Sequence, residues 1–80
     1  MWYVYILKSK TRDWRYVGCT RNLKNRFKQH NKGESKATKN YRPFLLYSYV
    51  AVADEQTARN LEKYFKSGSG IAWMNKHLMK

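Results

Sequence analysis

The residue of this chain best suited to chemistry is an acid at a core position. Ala58, Leu61, Glu62 and Phe65 recur at i, i+3, i+4 and i+7, the buried stripe of an amphipathic helix. A carboxylate in such a stripe needs a cation or strong donors, because burying it unpaired is costly. Only five residues are acidic, Asp13, Glu34, Asp54, Glu55 and Glu62, against seventeen lysines and arginines. An inward-facing acid in so basic a chain is a candidate metal ligand. The competing reading is a surface glutamate paired along its helix with Arg59, Lys63 or Lys66.

Two tyrosines and a glycine form a second constellation. If Ser9 opposes Trp14 across a turn, Leu7 opposes Tyr16 and Tyr5 opposes Gly18. Tyr5 and Tyr16 then share one sheet face as diagonal neighbours, about 7–8 Å apart between their backbones. Gly18 leaves an open patch beside Tyr5. A slip of one residue would separate the phenols, and plain aromatic packing is the commoner fate of such a pair.

A third set lies between them and Glu62. Leu23, Arg26, Phe27 and His30 follow the helical spacing, so Arg26 and His30 flank the face buried by Phe27. A guanidinium fork suits a phosphate, and an imidazole moves a proton near neutral pH. Taken singly, Arg26 reads as a solvated side chain and His30 as a hydrogen-bonded boundary residue. With Glu62 and two phenols they supply the parts of a metal-assisted phosphodiesterase. One carboxylate suffices for Mg²⁺, which keeps several waters and takes phosphate oxygens as further ligands.

These residues need elements to hold them. Residues 2–7 and 14–19 are rich in aromatic and β-branched side chains and form a hairpin around the polar stretch 8–13. Thr20 can cap a first helix that ends at Gly33. Residues 33–43 have loop composition. Residues 44–52 make a third strand, apolar enough to be central in its sheet. Asp54 caps the helix of Glu62, which closes at Ser67 and Gly68, and residues 71–78 form a last short helix. The expected fold is α+β: one domain over 1–80, a three-stranded antiparallel sheet flanked by helices, in the order β-β-α-β-α-α.

The bulk properties narrow the partner. A chain of 80 residues buries only about 60% of its unfolded surface, and its three Trp, seven Tyr and three Phe supply much of the apolar area. A formal charge of +12 implies a polyanionic partner, nucleic acid first. No apolar run is long enough to span a bilayer, so a membrane is not expected. The single cysteine, Cys19, excludes an internal disulfide and suits a reducing compartment, with a small buried hydrophobe as its expected role. No signal-peptide pattern opens the chain, and cytoplasmic localisation is the default.

Taken in order, Tyr3-Val4-Tyr5, Tyr16-Val17-Gly18, Arg26 and His30 on one helix, and Glu62 on a later one resemble the GIY-YIG nuclease superfamily. The likeness is closest to small stand-alone members related to the nuclease domain of the excision-repair protein UvrC, and it covers residues 2–67. The string Leu-Lys-Asn-Arg-Phe-Lys-Gln-His-Asn over 23–31 is similar to the Leu-x-x-Arg-x-x-x-His-Asn helix of that branch. The resemblance implies a Mg²⁺- or Mn²⁺-dependent endonuclease that hydrolyses DNA phosphodiester bonds. It implies that Tyr5 positions the attacking water and that Tyr16 acts beside the scissile phosphate as base or support. Arg26 would stabilise charge on the phosphate, His30 would help deprotonate a tyrosine or the water, and Glu62 would hold the metal. Tyr3 departs from the glycine of the first motif, and Val4 and Val17 stand where isoleucine is typical. Members also carry a late asparagine near the site, for which Asn75 is the candidate.

Substrate contacts are expected from Arg21, Lys24 and Lys28 on the first helix and from Lys36, Lys39 and Arg42 in the loop after it. There Tyr41, set among cations, suits a backbone clamp with some stacking, against a mobile solvated connection as the plain alternative. No base-reading element is visible, so cleavage would depend on shape, as in branched or structured DNA, or be weakly selective, with a protein partner for targeting and RNA not excluded. Two other readings remain: a catalytically weak nucleic-acid-binding module of the same fold, and an RNA-binding basic protein.

Overall fold

A computed structural model describes residues 1–78. The hairpin forms as expected, from β1 (Trp2–Ser9) and β2 (Arg15–Thr20). The helix α1 (Leu23–Lys32) follows, then a 3₁₀ turn (Lys39–Tyr41) and β3 (Phe44–Val52). The chain closes with α2 (Glu55–Lys66) and α3 (Gly68–His77). The order is β-β-α-β-α-α with a purely antiparallel sheet, an α+β domain.

The sheet order is β2-β1-β3, which corrects the expected central place of the third strand. β1 is central because it is apolar on both faces. Val4 and Ile6 are fully buried on one side, while Tyr5 and Leu7 are buried on the other. β3 leaves Leu45, Tyr49 and Ala51 exposed, as an edge strand can. Two cores result. Val4, Ile6 and Val17 pack under Ala58, Phe65 and Met74 of α2 and α3. Tyr5, Leu7 and Phe44 pack under Leu23 and Phe27 of α1, with Trp14 and Tyr41 beside them.

Local chemistry fixes the helix ends. Asn22, not Thr20, caps α1, its Oδ1 accepting from the Asn25 amide at 3.0 Å. The Thr20 hydroxyl instead accepts from the Asn22 amide at 3.1 Å, which tightens the turn before the cap. Gly33 ends α1 at φ 80° in the left-handed region, where its missing Cβ matters. Asp54 caps α2, accepting from the Thr57 amide at 2.8 Å. The last helix begins at Gly68, three residues before the expected start, because Ser67 caps it by accepting from Gly70 N at 3.2 Å. Gly70 packs on the backbone of Tyr64, where a Cβ would clash. Among the described residues no helix is long and apolar enough to cross a membrane.

Candidate active site

The hairpin register is the one that joins the two phenols. Ser9 N donates to Trp14 O at 2.9 Å, Leu7 pairs with Tyr16, and Tyr5 pairs with Gly18. The rings of Tyr5 and Tyr16 lie 6.4 Å apart between centroids. A Cβ built on Gly18 would stand 2.5 Å from the Tyr5 hydroxyl oxygen and 3.0 Å from Cε2 of Tyr16. The glycine is therefore needed for the close approach of both rings.

From above, α1 lowers His30 into the same space. Its ring centroid is 5.7 Å from that of Tyr5 and 5.3 Å from that of Tyr16. His30 Nε2 lies 2.9 Å from the Tyr5 hydroxyl and Nδ1 lies 2.8 Å from Oγ1 of Thr38. Tyr5, His30 and Thr38 are all buried. Burial, with the Arg26 guanidinium, pushes the His30 pKa down to about 4, so the imidazole is neutral at ordinary pH. Burial pushes the Tyr5 phenol up to about 12, with Arg26 opposing part of the rise. Two proton arrangements satisfy both bonds: the phenol donates to Nε2 while Nδ1–H donates to Thr38, or the Thr38 hydroxyl donates to Nδ1 while Nε2–H donates to the phenol oxygen.

Arg26 sits half-buried at the rim, its Nη1 donating to Gln29 Oε1 at 3.0 Å. Asn31, the last residue of the helix string, accepts from the Phe44 amide at 2.6 Å and so ties α1 to the start of β3. Neither Asn31, which stands in the helix string without an expected role, nor Thr38 is among the residues that the sequence marks for the site. A threonine in a polar loop carries no signal of the histidine it will meet.

Glu62 differs from expectation. Ala58 and Phe65 form the buried stripe of α2, while Glu62 lies at its edge with its side chain 21% exposed. Its Oε2 is 2.7 Å from Lys66 Nζ, one helical turn on. The surface pairing is thus present, through Lys66; Arg59 instead pairs with Glu55 at 2.7 Å. Burial raises the Glu62 pKa, but Lys66 and the Cys19 thiol outweigh it and hold the carboxyl below its usual range. Cys19 is only half-buried, and partial burial with the nearby carboxylate pushes its thiol up to about 11. Lys66 Nζ also stands 5.7 Å from the Tyr16 ring centroid, so one ammonium spans the gap between the acid and the phenols. Beside it, a cleft of about 240 Å³ opens between Arg15, Tyr16 and Lys66.

The one carboxylate here, Glu62, is of the donor type that a hard divalent ion takes. Glu62 offers oxygen to solvent at a position already attractive to a cation, and Mg²⁺ is commonly bound through one or two carboxylates. Among the described residues, no three His, Cys, Asp or Glu side chains converge to hold a metal ion, at Glu62 or elsewhere.

The cations named as substrate contacts, Arg21, Lys24, Lys28, Lys36, Lys39 and Arg42, are all exposed. Tyr41 is not a free stacking ring, which corrects that expectation. It stacks on Trp14 at 3.9 Å and 13°, with Arg12 over its ring at 5.3 Å. The connection is also tied to β1 where Ser9 Oγ donates to Tyr41 O at 2.5 Å. Asn75 lies on α3, outside the phenol cluster, and accepts from Arg15 Nη1 at 2.7 Å.

A family model described as the GIY-YIG catalytic domain matches residues 1–75. The UPF0213 protein YazA of Bacillus subtilis (strain 168) is 37% identical over 65 residues, which cover 80% of this chain and 65% of that protein. A UPF0213 protein of Clostridium perfringens (strain 13 / Type A) is 39% identical over 65 residues, covering 80% of this chain and 69% of its own. The chain thus spans about two thirds of the length of these relatives. No solved structure matches.

Proposed function

Because this chain belongs to the GIY-YIG catalytic-domain family, a family of nucleases, we propose that it is a divalent-metal-dependent endonuclease hydrolysing DNA phosphodiester bonds. The observation that carries this reading is the convergence of Tyr5, Tyr16 and His30 beside Gly18, with the Arg26 guanidinium close enough to act on both Tyr5 and His30. Such a cluster has little use as plain core, since it buries a histidine and two of its hydrogen bonds.

Tyr16 is the phenol at the cleft and stands next to the phosphate. Tyr5 and His30 are buried behind it, so they act as a proton-accepting pair rather than as direct substrate ligands. The neutral Nε2 can take the Tyr5 proton while the Tyr5 oxygen takes one from the water or from Tyr16. In this role Thr38 accepts from Nδ1–H, the tautomer that leaves Nε2 free to accept. Arg26 places a permanent charge where negative charge grows on the phosphate. Glu62 would hold Mg²⁺ or Mn²⁺, which supplies Lewis-acid stabilisation of the phosphate and leaving oxygen. The exposed cations of α1 and of the loop after it hold the DNA backbone. A cytoplasmic DNA-repair setting, with branched DNA as substrate and a targeting partner, belongs to the same proposal.

One observation favours a second reading, a binding module that cuts poorly. The Glu62 carboxylate is already engaged by Lys66. Incubating supercoiled plasmid and branched oligonucleotides with Mg²⁺ or Mn²⁺ separates the two. Nicking by the native chain that is lost in Glu62→Gln, with binding retained, supports the nuclease. Binding without nicking in both proteins leaves the module.

A further inference from the structure

β3 carries an irregularity that has a consequence for the face of the sheet under α1. Ile6 pairs with Ser48 but Leu7 pairs with Leu46, so Tyr47 is an extra residue on β3. Before the bulge, Phe44 and Leu46 face α1; beyond it, Val50 and Val52 face α2. Unbroken alternation from Phe44 would put position 50 under α1 and position 49 under α2. The extra residue therefore turns Tyr49 onto the α1 face, opposite Tyr5 in the β1–β3 register. Bulges commonly re-aim a side chain in this way.

There Tyr49 finds no cover. It is 53% exposed, and its ring meets Tyr3 edge-on at 5.9 Å and 70°. Between them and α1 runs a groove of about 570 Å³, floored by Leu23, Phe27 and Leu46 and rimmed by Arg21 and Lys24. Its volume lies within the size range of small-ligand sites. Tyr3 and Tyr5 are successive side chains on one face of β1, about 7 Å apart, so the groove adjoins the phenol cluster. Tyr3 is also the residue that stands where the family motif has glycine.

An aromatic-walled groove with a cationic rim is complementary to an unpaired nucleotide, whose base stacks while its phosphate meets a charge. A base paired in a duplex keeps its faces stacked on its neighbours and has none to offer. We propose that this groove holds an unpaired nucleotide of single-stranded DNA adjacent to the scissile bond, so that the preferred substrate is a strand leaving a duplex. The substrate placement rests on the nuclease reading; the single-strand subsite itself does not.

The test is metal-free binding, by fluorescence anisotropy, of a labelled single strand and of the matching blunt duplex. Tyr49→Ala should weaken single-strand binding about tenfold, the loss of one stacking ring, and change duplex binding less than about twofold. Tyr49→Phe should restore it. Tyr64→Ala, which removes an exposed ring from α2, should change neither. Equal weakening for both DNA forms, no weakening at all, or tighter binding of the same sequence as RNA would overturn the assignment. Because no divalent ion is present, absence of cutting elsewhere would sink the nuclease reading without touching this result.

Discussion

Adding one methyl group at Gly18 should disable the site from within. The new Cβ would lie 2.5 Å from the Tyr5 oxygen, 2.8 Å from its Cζ and 3.0 Å from Cε2 of Tyr16. Ordinary contact requires the Tyr5 ring to retreat by roughly 1 Å, and that ring is 2% exposed with no space to move into. The retreat breaks the 2.9 Å bond to His30. Overpacking of this kind costs about 1–3 kcal/mol, and an unsatisfied buried polar group costs a similar amount. The two overlap, so Gly18→Ala should lose about 2–3 kcal/mol, lowering Tm by about 10–20 °C in a domain this size. Tyr5→Phe removes the closest contact, so the Gly18→Ala, Tyr5→Phe double variant should lose clearly less than the sum of the singles. Urea unfolding of the four proteins measures the coupling. A Gly18→Ala protein as stable as the parent, or strict additivity, would refute the packing argument.

The His30 pKa lies below that of the unfolded chain, so the unfolded state binds the proton more tightly. Stability should be complete above about pH 6.5 and fall by on the order of 3 kcal/mol as pH drops through about 4; His30→Phe should flatten that limb in a denaturation series. Thr38→Val leaves Nδ1 without its partner and should cost about 1–3 kcal/mol. It should also shift the His30 titration seen by NMR, whereas an unmoved titration would show that Thr38 does not orient the ring. Lys66→Met should alter stability by less than about 1 kcal/mol, since the pair is partly exposed. It should also tighten Mn²⁺ binding at Glu62, measured by paramagnetic broadening; weaker binding would contradict the picture of Lys66 as a competing cation.

Much of this fold follows from short-range patterns. The hairpin register was readable because one assumption about Ser9 and Trp14 fixes every later pair, including Tyr5 with Gly18. The helix of Arg26 and His30 was readable from its spacing and from Gly33. The strand order was not, because 44–52 is as apolar as 2–7. What separates them is that β1 buries both faces under different helices, a long-range fact. Thr38 and the Trp14–Tyr41 stack were hidden for the same reason, as each joins a polar loop to a distant element. Glu62 shows the limit of periodicity: helical spacing places a residue near the stripe, but a neighbour of opposite charge one turn on decides how far it turns toward solvent.

If one site, built from the phenol pair, His30, Arg26 and Glu62, cleaves DNA, its rate must depend on each of these groups. Single-turnover cleavage of a labelled branched DNA in Mg²⁺ tests it most directly, comparing the native chain with Arg26→Ala and Glu62→Gln and measuring DNA binding alongside. Removing a group that stabilises transition-state charge typically costs about 10²–10³-fold in rate, so both variants should slow at least about 100-fold with binding within a few-fold of native. Cleavage that persists unchanged in both variants, or no cleavage by the native chain, would contradict the account.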